Sequence, residues 1–261
     1  METQASSYSD PVTILQLTDT HFMADADSTL RDIDTALSFR ETLDYALQQH
    51  PGARLVLLTG DLAEEPEVVS YQRLADVLTE YDLDFACLPG NHDDYPNMLK
   101  VLNQGKFSCG KQQFIGDWQI LMLDTQIPGS CEGTLNQQDF ELLEQSLAQQ
   151  SGQNTLICIH HHCIKTNSEW MDTMLIKNHQ EFMALVQKNQ QVKAVVMGHI
   201  HQELDASIGN LKLWGTPSTC FQFKRNSDKF AWGERIPGYR WFELYADGRL
   251  ESGVDYLPHA V

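Results

Sequence analysis

Short apolar runs of strand length alternate with longer segments whose apolar residues recur at helical spacing, and this alternation limits the folds open to the chain. The first run covers residues 12–17, and a helical pattern from Ile33 to Leu47 follows it and stops at Pro51-Gly52. Strands that alternate with helices in this way are typical of α/β folds, in which helices join parallel strands.

The alternation continues as far as Met197. Strands are predicted at 55–58, 85–88, 114–115, 119–123, 155–159 and 192–197, and helices at 67–80, 95–102, 135–148 and 176–187. Gly116-Asp117 separates two of these strands and predicts a hairpin, so we expect the sheet to be mixed. Beyond Met197 the chain is rich in glycine, proline and aromatic residues, and further strands are predicted at 211–214, 239–245 and 250–256.

The length of 261 residues is within what one α/β domain can bury, and no internal repeat, low-complexity tract or linker divides the chain. The apolar fraction of 42% and the charged fraction of 21% are ordinary for a folded protein. We therefore predict a single domain over residues 1–261, of mixed α/β and α+β character, with a mostly β part from about residue 205.

Five of the predicted strands end abruptly in residue types that bind metals, often after a glycine. These segments are Asp19-Thr20-His21, Gly60-Asp61, Gly90-Asn91-His92-Asp93, His160-His161-His162 and Gly198-His199-Ile200-His201. Because ligands bind at the carboxyl ends of strands in open α/β sheets, the five segments can converge on one place. Each motif alone is a weak signal, but their joint occurrence predicts a metal site.

The mixture of carboxylates and imidazoles suits ions such as Mn, Fe, Co or Zn, and the lack of cysteine ligands favours a catalytic site over a structural one. On an extended strand end, Asp19 and His21 are expected to point to the same side, and so are His199 and His201. The glycines are expected to let the backbone come close to the ligands. Seven candidate ligands suit two ions that share a bridge, for which the Asp61 carboxylate is the candidate.

The charge of the chain bears on its partners. With 18 Lys and Arg against 36 Asp and Glu, the formal net charge is -18, which disfavours a nucleic-acid partner. Bound divalent cations are the strongest local means of reversing this field for a small anionic substrate.

The cellular location is predicted from the N-terminal segment and the cysteines. The segment METQASSYSDPV lacks both the basic start and the apolar core of a signal peptide, and no apolar run has the length of a membrane span. The six cysteines form no CxxC pair and are expected to be reduced. These features predict a cytoplasmic protein without a membrane partner.

The motifs DTH, GD, GNHD, a histidine at a strand end and GHIH together resemble those of the calcineurin-like metallophosphoesterases. The stretches GDLAEE, LPGNHD, FIGDWQILMLDTQ, GHIHQELD and TPSTCFQFK resemble the bacterial class III 3',5'-cyclic AMP phosphodiesterases within that family. The likeness extends from about Gln16 to Gly248. It implies a four-layer sandwich, in which two mixed β-sheets are flanked by α-helices.

The resemblance also implies two sets of metal ligands, with Fe or Mn as the expected ions and Zn, Co or Mg as alternatives. One set is Asp19, His21, Asp61 and His201, and the other is Asp61, Asn91, His160 and His199. The family usually has His-x-Pro-Pro where this chain has His160-His161-His162-Cys163, so His161 stays an alternative to His160.

The reaction implied by the resemblance is hydrolysis of 3',5'-cyclic AMP to 5'-AMP by a hydroxide that bridges the two ions. Asp61, Asn91 and His92 are the predicted catalytic residues, and the phosphate is expected to contact Asn91, His92, His201 and His21. His92 is expected to hydrogen bond a phosphoryl oxygen or to protonate the departing 3'-oxygen, and the alternative is that it only orients Asn91. Glu64 is a candidate to orient His92.

Two other functions compete with this interpretation. One is a broader phosphoesterase that acts on other nucleotide diesters or on monoesters, since one fold hosts many functions. The other is a non-catalytic scaffold, which would be expected to have lost candidate ligands that this chain retains. The protein is expected to be a monomer or a homodimer. Apolar residues of the C-terminal third are candidates for a dimer interface or an adenine pocket. Trp170, Trp214 and Trp241 are interpreted more readily as core residues than as an adenine platform, and an exposed aromatic that stacks on a base stays an alternative.

Overall fold

Two mixed six-stranded sheets form the centre of the computed structural model, which describes residues 10–258. The first sheet has the order β12-β11-β1-β2-β3-β4, in which β1 to β4 are parallel and β11 and β12 are antiparallel. Its strands are β1 (Val12–Leu17), β2 (Ala53–Thr59), β3 (Asp84–Leu88), β4 (Phe107–Ser108), β11 (Gly238–Leu244) and β12 (Leu250–Tyr256).

The second sheet has the order β5-β6-β7-β8-β10-β9 and is antiparallel only at its two ends. Its strands are β5 (Gln112–Ile115), β6 (Trp118–Met122), β7 (Asn154–Ile159), β8 (Val192–Met197), β9 (Leu204–Ile208) and β10 (Leu211–Gly215). The strands β5 and β6 form the hairpin that Gly116-Asp117 predicts, and the expectation of a mixed sheet is confirmed.

Helices cover the outer face of each sheet. The helices α1 (Thr35–Gln49), α2 (Val68–Thr79) and α3 (Tyr95–Val101) pack on the first sheet, and α4 (Gln137–Gln149) and α6 (His179–Lys188) pack on the second. The short helix α5 (Glu169–Asp172) lies between β7 and α6 along the chain. The side chains of Asp34, Asp94 and Asn136 cap α1, α3 and α4 by accepting a backbone N–H three residues further on. None of the helices in residues 10–258 is long and apolar enough to span a membrane.

Alternation of side chains along the strands produces four layers. In β2, Val56 and Leu58 pack against the helices of the first sheet, whereas Leu55 and Leu57 face the second sheet. Both faces of the strand are therefore buried, which explains why it appears in the sequence as an unbroken apolar run. The predicted sandwich of two mixed sheets flanked by helices is confirmed.

Four elements differ from the sequence prediction. The strands β4 and β9 and the helix α5 were not predicted, because each is short and lacks a clear apolar period. The helix predicted at 176–187 begins only at His179, because the backbone N–H groups of Ile176 and Lys177 donate to the carbonyls of His162 and Gly133. Most of the N-terminal segment used to predict the location lies outside the described residues. All six cysteines are free thiols, as predicted.

Candidate metal centre

The segments after β1, β2, β3, β7 and β8 meet at one edge of the sandwich, and most of their candidate ligands have left-handed backbone. The φ angles are 54° at Asp19, 47° at His21, 50° at Asp61, 65° at His199 and 46° at His201. Asp19 and His21, and likewise His199 and His201, were expected on extended strand ends. This expectation is wrong, since each strand has already ended before these residues. Left-handed φ is costly for residues with a Cβ and persists where surrounding contacts hold it.

Backbone hydrogen bonds hold the segments after β1 and β2 side by side. The N–H of Asp19 donates to the carbonyl of Gly60 at 3.0 Å, and the N–H of His21 donates to that of Asp61 at 2.9 Å. The peptide N–H of His199 donates to the Asp19 carboxylate at 3.1 and 3.2 Å, which links the segment after β8 to the first sheet. The two sheets are thus joined at the candidate ligands themselves.

Asp93 has a structural part in the site that sequence reasoning did not find. Its buried carboxylate accepts hydrogen bonds from the N–H groups of Leu62 and Ala63 at 3.1 Å and of Gly90 at 2.8 Å, and from the Tyr71 hydroxyl at 3.0 Å. It therefore fastens the Gly90 turn to the segment that carries Asp61.

Glycine is required at two of these turns because ligand side chains approach the backbone closely. A Cβ on Gly90 would lie 2.2 Å from Asp61 Oδ1 and 2.7 Å from His160 Cε1. A Cβ on Gly60, whose φ is 96°, would lie 2.4 Å from His160 Nδ1. The predicted role of the glycines in close approach is confirmed at both positions.

The first group of converging side chains is Asp19, His21 and His201. His201 Nε2 lies 3.2 Å from Asp19 Oδ1 and 3.4 Å from His21 Nε2. His201 Nδ1 donates to the Phe221 carbonyl at 2.8 Å, and His21 Nδ1 lies 2.8 Å from a Glu64 carboxylate oxygen. Since each ring uses Nδ1 as its donor, the Nε2 atoms are left to point into the site.

The second group surrounds the Asp61 carboxylate. His160 Nδ1 donates to the Thr59 carbonyl at 2.8 Å, and its Nε2 lies 3.3 Å from Asp61 Oδ1 and 3.2 Å from Asn91 Oδ1. His199 Nε2 is buried and has no hydrogen-bond partner among the described residues. One ligand atom each of Asp61, His160 and His199 lies within 4.8 Å of the other two, and Asp61 also forms such a group with His21 and His92.

Both groups fit divalent cations. In each of them imidazole Nε2 atoms and side-chain oxygens converge to 3.2 to 3.4 Å, an arrangement that positive charge stabilises, whether it is a proton or a metal ion. Nitrogen and oxygen donors of this kind are the usual ligands of catalytic transition-metal ions. Asp61 belongs to groups on both sides of the site, which is what a bridging carboxylate requires.

The directions of the pKa shifts show that positive charge is favoured beside the Asp61 carboxylate. Burial favours the neutral form of Asp61, but His160 opposes it and holds the pKa of Asp61 well below its usual range. Burial lowers the pKa of His160, yet the Asp61 carboxylate raises it to about 9. Burial lowers the pKa of His199, so this imidazole is neutral and free to donate its lone pair.

His92 lies at the open side of the site, with 39% of its side chain exposed. Its Nδ1 is 3.2 Å from the Glu64 carboxylate, and its peptide N–H donates to Asp61 Oδ1 at 2.8 Å. Burial lowers the pKa of His92, but the hydrogen bond with Glu64 raises it to about 10. Glu64 therefore contacts His92, as the sequence suggested, and also His21, which the sequence did not suggest.

His161 and His162 are buried next to the ligand groups but take no part in them. His161 Nδ1 lies 2.8 Å from the Thr125 hydroxyl, and its ring centre is 4.7 Å from that of His199. All three histidines of the run are fully buried, so they are not a solvated run. Only the first of them, His160, belongs to a candidate ligand group among the described residues.

Comparison with known proteins identifies the family. The family profile described as calcineurin-like phosphoesterase matches residues 12–203. The chain belongs to this family. The matched range contains all seven candidate ligands, and the family predicted from the motifs is confirmed. Membership implies that divalent metal ions are bound.

Relatives of this phosphoesterase match it over nearly its whole length. The proteins named 3',5'-cyclic adenosine monophosphate phosphodiesterase CpdA are 37% identical in Escherichia coli (strain K12) and 35% identical in Vibrio vulnificus (strain CMCP6). In both cases 94% of this chain and 90% of the relative are covered. A relative from Nostoc sp., named 3',5'-cyclic-nucleotide phosphodiesterase, is 34% identical and covers 96% of this chain and 94% of its own length.

Solved structures share the fold of this phosphoesterase at low sequence identity. A dimetal phosphatase from Danio rerio has a TM-score of 0.59 and 14% identity, covering 94% of this chain and 99% of that one. A purple acid phosphatase from yellow lupin has a TM-score of 0.65 and 12% identity, covering 94% of this chain and 54% of that one. These likenesses concern the fold alone.

A cavity of about 380 Å³ opens over the candidate centre of the phosphoesterase. Its inner part includes five of the candidate ligands, whereas Asp19 and His160 are completely buried behind it. Its outer part is mostly apolar and is lined by Leu30, Arg31, Cys131, Trp170, Met171, Met174, Phe221, Phe223 and Trp232. Trp170 lines this cavity, as the alternative to a core position allows, while Trp214 and Trp241 pack in or against the core as expected.

Proposed function

We propose that the protein hydrolyses 3',5'-cyclic AMP to 5'-AMP at a centre of two divalent metal ions. The observation that supports this most strongly is the convergence of two acceptor groups around Asp61 at the floor of the cavity. The substrate is proposed from the printed names of the relatives in Escherichia coli and Vibrio vulnificus. The cavity is within the size range of pockets that hold small molecules.

The ligand sets proposed here follow the two groups of side chains. Asp19, His21, Asp61 and His201 hold one ion, and Asp61, Asn91, His160 and His199 hold the other. We take His160 rather than His161 as the ligand, because His160 Nε2 faces Asp61 and Asn91 whereas His161 Nδ1 contacts Thr125. Iron or manganese is the proposed metal, on the mixture of imidazole and carboxylate donors.

When bound, the two ions supply positive charge to a phosphodiester anion and acidify a water molecule so that it can attack phosphorus. The chain itself positions the phosphate through Asn91, His92, His21 and His201 at the inner end of the cavity. Carbonyl and carboxylate groups hold the Nδ1 atoms of His21, His160 and His201, so these rings keep the orientation that the site needs.

His92 is the proposed general acid for the departing 3'-oxygen. It is partly exposed to the cavity, its Nδ1 is held by Glu64 at 3.2 Å, and its Nε2 is therefore left to face the substrate. A proton delivered at this atom removes the need to expel an alkoxide, which accounts for about 10² to 10⁴ in rate for general acids. Glu64 is the proposed positioning residue for both His92 and His21.

A broader specificity for cyclic nucleotides is the second candidate, and one observation favours it. The outer part of the cavity has few polar side chains with which to distinguish one base from another. The relative from Nostoc sp. is likewise named for cyclic nucleotides in general. A non-catalytic scaffold is not favoured, because all the candidate ligands are present.

The remaining proposals rest on the sequence. A net charge of -18 supports the proposal that no nucleic acid is bound, and the cytoplasm is proposed from the six cysteines, which form no disulfide. A single domain over residues 1–261 is supported by the strands β9 to β12, which pair into both sheets. A monomer or homodimer without a membrane partner is proposed as the working form.

A substrate panel tests the proposed function. The protein, supplied with Mn²⁺ or Fe²⁺, is assayed with cyclic AMP, cyclic GMP, 2',3'-cyclic AMP, bis(p-nitrophenyl) phosphate and p-nitrophenyl phosphate under one condition. We expect cyclic AMP to have a higher kcat/KM than the 2',3'-cyclic isomer and the monoester, with 5'-AMP as the product. Preferential cleavage of the monoester, or release of 3'-AMP, contradicts the proposal.

A further inference from the structure

An aromatic surface extends from the candidate metal centre to the rim of the cavity. The Phe223 ring stacks on the His201 ring, with centroids 4.4 Å apart and an interplanar angle of 26°. The Trp232 ring follows at 5.5 Å from Phe223, and Phe221 contacts both His201 at 4.9 Å and Trp232 at 5.0 Å. A ring placed on this surface is thus close to a phosphate held at the centre.

Arg31 lies at the outer end of the surface. Its guanidinium carbon is 3.3 Å from the centre of the Trp232 ring, a stacked cation–π contact. The cavity is lined by both residues, so the contact forms part of its wall. Among the described residues that line the outer part of the cavity, Arg31 has the only charged side chain.

The backbone that carries Arg31 is strained. Arg31 and Asp32 have φ angles of 56° and 62°, and the turn is closed by backbone hydrogen bonds of 2.9 and 3.0 Å between Leu30 and Ile33. Such a turn favours glycine, asparagine or aspartate at its two central positions, so Asp32 suits it whereas Arg31 does not. Local strain of this kind is concentrated at ligand sites, where it positions a side chain.

The exposure of the aromatic rings also indicates a binding surface. Trp232 is 38% exposed and Phe230 is 50% exposed, and their ring centroids are 4.6 Å apart. Large aromatic residues that are exposed together beside a polar centre are typical of ligand-binding sites.

We propose that the purine base of the substrate binds between the Trp232 indole and the Arg31 guanidinium. This rests on the proposed function, since it requires a nucleotide at the metal centre. Every base has a π face, and both an indole and a guanidinium stack on it, so the pair holds the base without reading its edge. A stacked ring needs about 3.4 Å on each side, so the guanidinium moves outward by about that distance, which an exposed arginine achieves by rotamer change.

The test compares substrates with and without a base. Cyclic AMP is compared with 1-deoxyribose 3',5'-cyclic phosphate, which has the same reacting ring and no purine. We expect Trp232→Leu to raise KM for cyclic AMP about 10- to 100-fold with kcat changed less than 3-fold, as the loss of one stacking partner predicts. The loss in kcat/KM for the base-free substrate should be at least about 10-fold smaller.

Arg31→Asn provides a second variant that keeps the fold. Asparagine accepts the left-handed conformation, so the change removes the guanidinium without adding strain to the turn. We expect about a 5- to 20-fold rise in KM for cyclic AMP, again with a smaller change for the base-free substrate. Phe114→Leu and Arg54→Asn are the matched controls, because both residues are exposed and line a different cavity.

Binding is measured alongside activity. Calorimetric titration of the metal-loaded protein with a phosphorothioate analogue of cyclic AMP, which resists hydrolysis, should give a Kd raised by the same factor as KM in both variants. Equal losses on the two substrates, or an unchanged Kd, overturn the base site while leaving the proposed function in place. A wild-type protein that cleaves bis(p-nitrophenyl) phosphate and not cyclic AMP instead contradicts the proposed function.

Discussion

The Nε2 atoms of His21 and His201 lie 3.4 Å apart, although both rings use Nδ1 as the donor. Two lone pairs at this distance repel each other unless positive charge lies between them. The Asp19 carboxylate adds an oxygen 3.2 Å from His201 Nε2, so positive charge at this place is favoured further. At His160 the Asp61 carboxylate likewise favours positive charge, since it raises the pKa of His160 to about 9. The site is therefore suited to cations, and a separate prediction can be made for each of its residues.

Asp61→Asn should remove metal as well as activity. The amide has nearly the same shape as the carboxylate but lacks its charge and cannot bridge two ions through anionic oxygens. We expect the metal content, measured by mass spectrometry, to fall from about two ions per chain to one or fewer. The value of kcat/KM should fall by at least about 10³-fold. Asp117→Asn, at an exposed turn, is the control that should keep both metal and activity. Full metal content in the Asp61 variant contradicts its bridging role.

His92→Gln should separate acid catalysis from metal binding. We expect both ions to be retained and kcat for cyclic AMP to fall by about 10²- to 10⁴-fold. For bis(p-nitrophenyl) phosphate the loss should be much smaller, because p-nitrophenolate leaves without a proton. An equal loss on both substrates indicates that His92 binds the phosphoryl group and does not serve as the acid.

Asp93→Asn should reduce the stability of the fold more than an ordinary buried substitution. The carboxylate accepts from Leu62, Ala63, Gly90 and Tyr71, whereas an amide has only one accepting oxygen and presents N–H groups to donors. We expect the free energy of unfolding to fall by about 3 kcal/mol, measured by urea denaturation. A change below about 0.5 kcal/mol means that the network does not stabilise the site.

Selectivity between purines should be small. Stacking does not distinguish adenine from guanine strongly, and strong rejection needs buried polar groups that match one base edge. Among the described residues that line the outer part of the cavity, only Arg31 has a charged group that could make such contacts. We expect kcat/KM for cyclic AMP and cyclic GMP to agree within about 10-fold. A preference above about 10³-fold requires a base-reading contact that this cavity does not contain.

Much of the layered fold could be predicted from local patterns. Both-face burial of β2 and β8 produces unbroken apolar runs, and Gly116-Asp117 signals the hairpin of β5 and β6. Strand order could not be derived in this way. The pairing of β11 with β1 depends on contacts between residues far apart in sequence, and the parallel pairing of β10 with β8 leaves β9 at the edge of the sheet.

The residues of the candidate site were predictable because polar residues follow the ends of the strands, but their geometry was not. An extended strand end was expected for Asp19 and His21, whereas both have left-handed backbone. The contact of Glu64 with His21 and the stacking of Arg31 on Trp232 join residues from separate loops. Such contacts leave no periodic signal, so only the structure reveals them.

The most direct measurement is a titration of metal-free protein with Mn²⁺, in which bound metal, melting temperature and cyclic AMP hydrolysis are followed on the same samples. We expect the melting temperature to rise with binding and 5'-AMP formation to increase until two ions per chain are bound, and no further. Hydrolysis of cyclic AMP at the full rate by protein that holds no metal would show that the reaction does not depend on a metal centre.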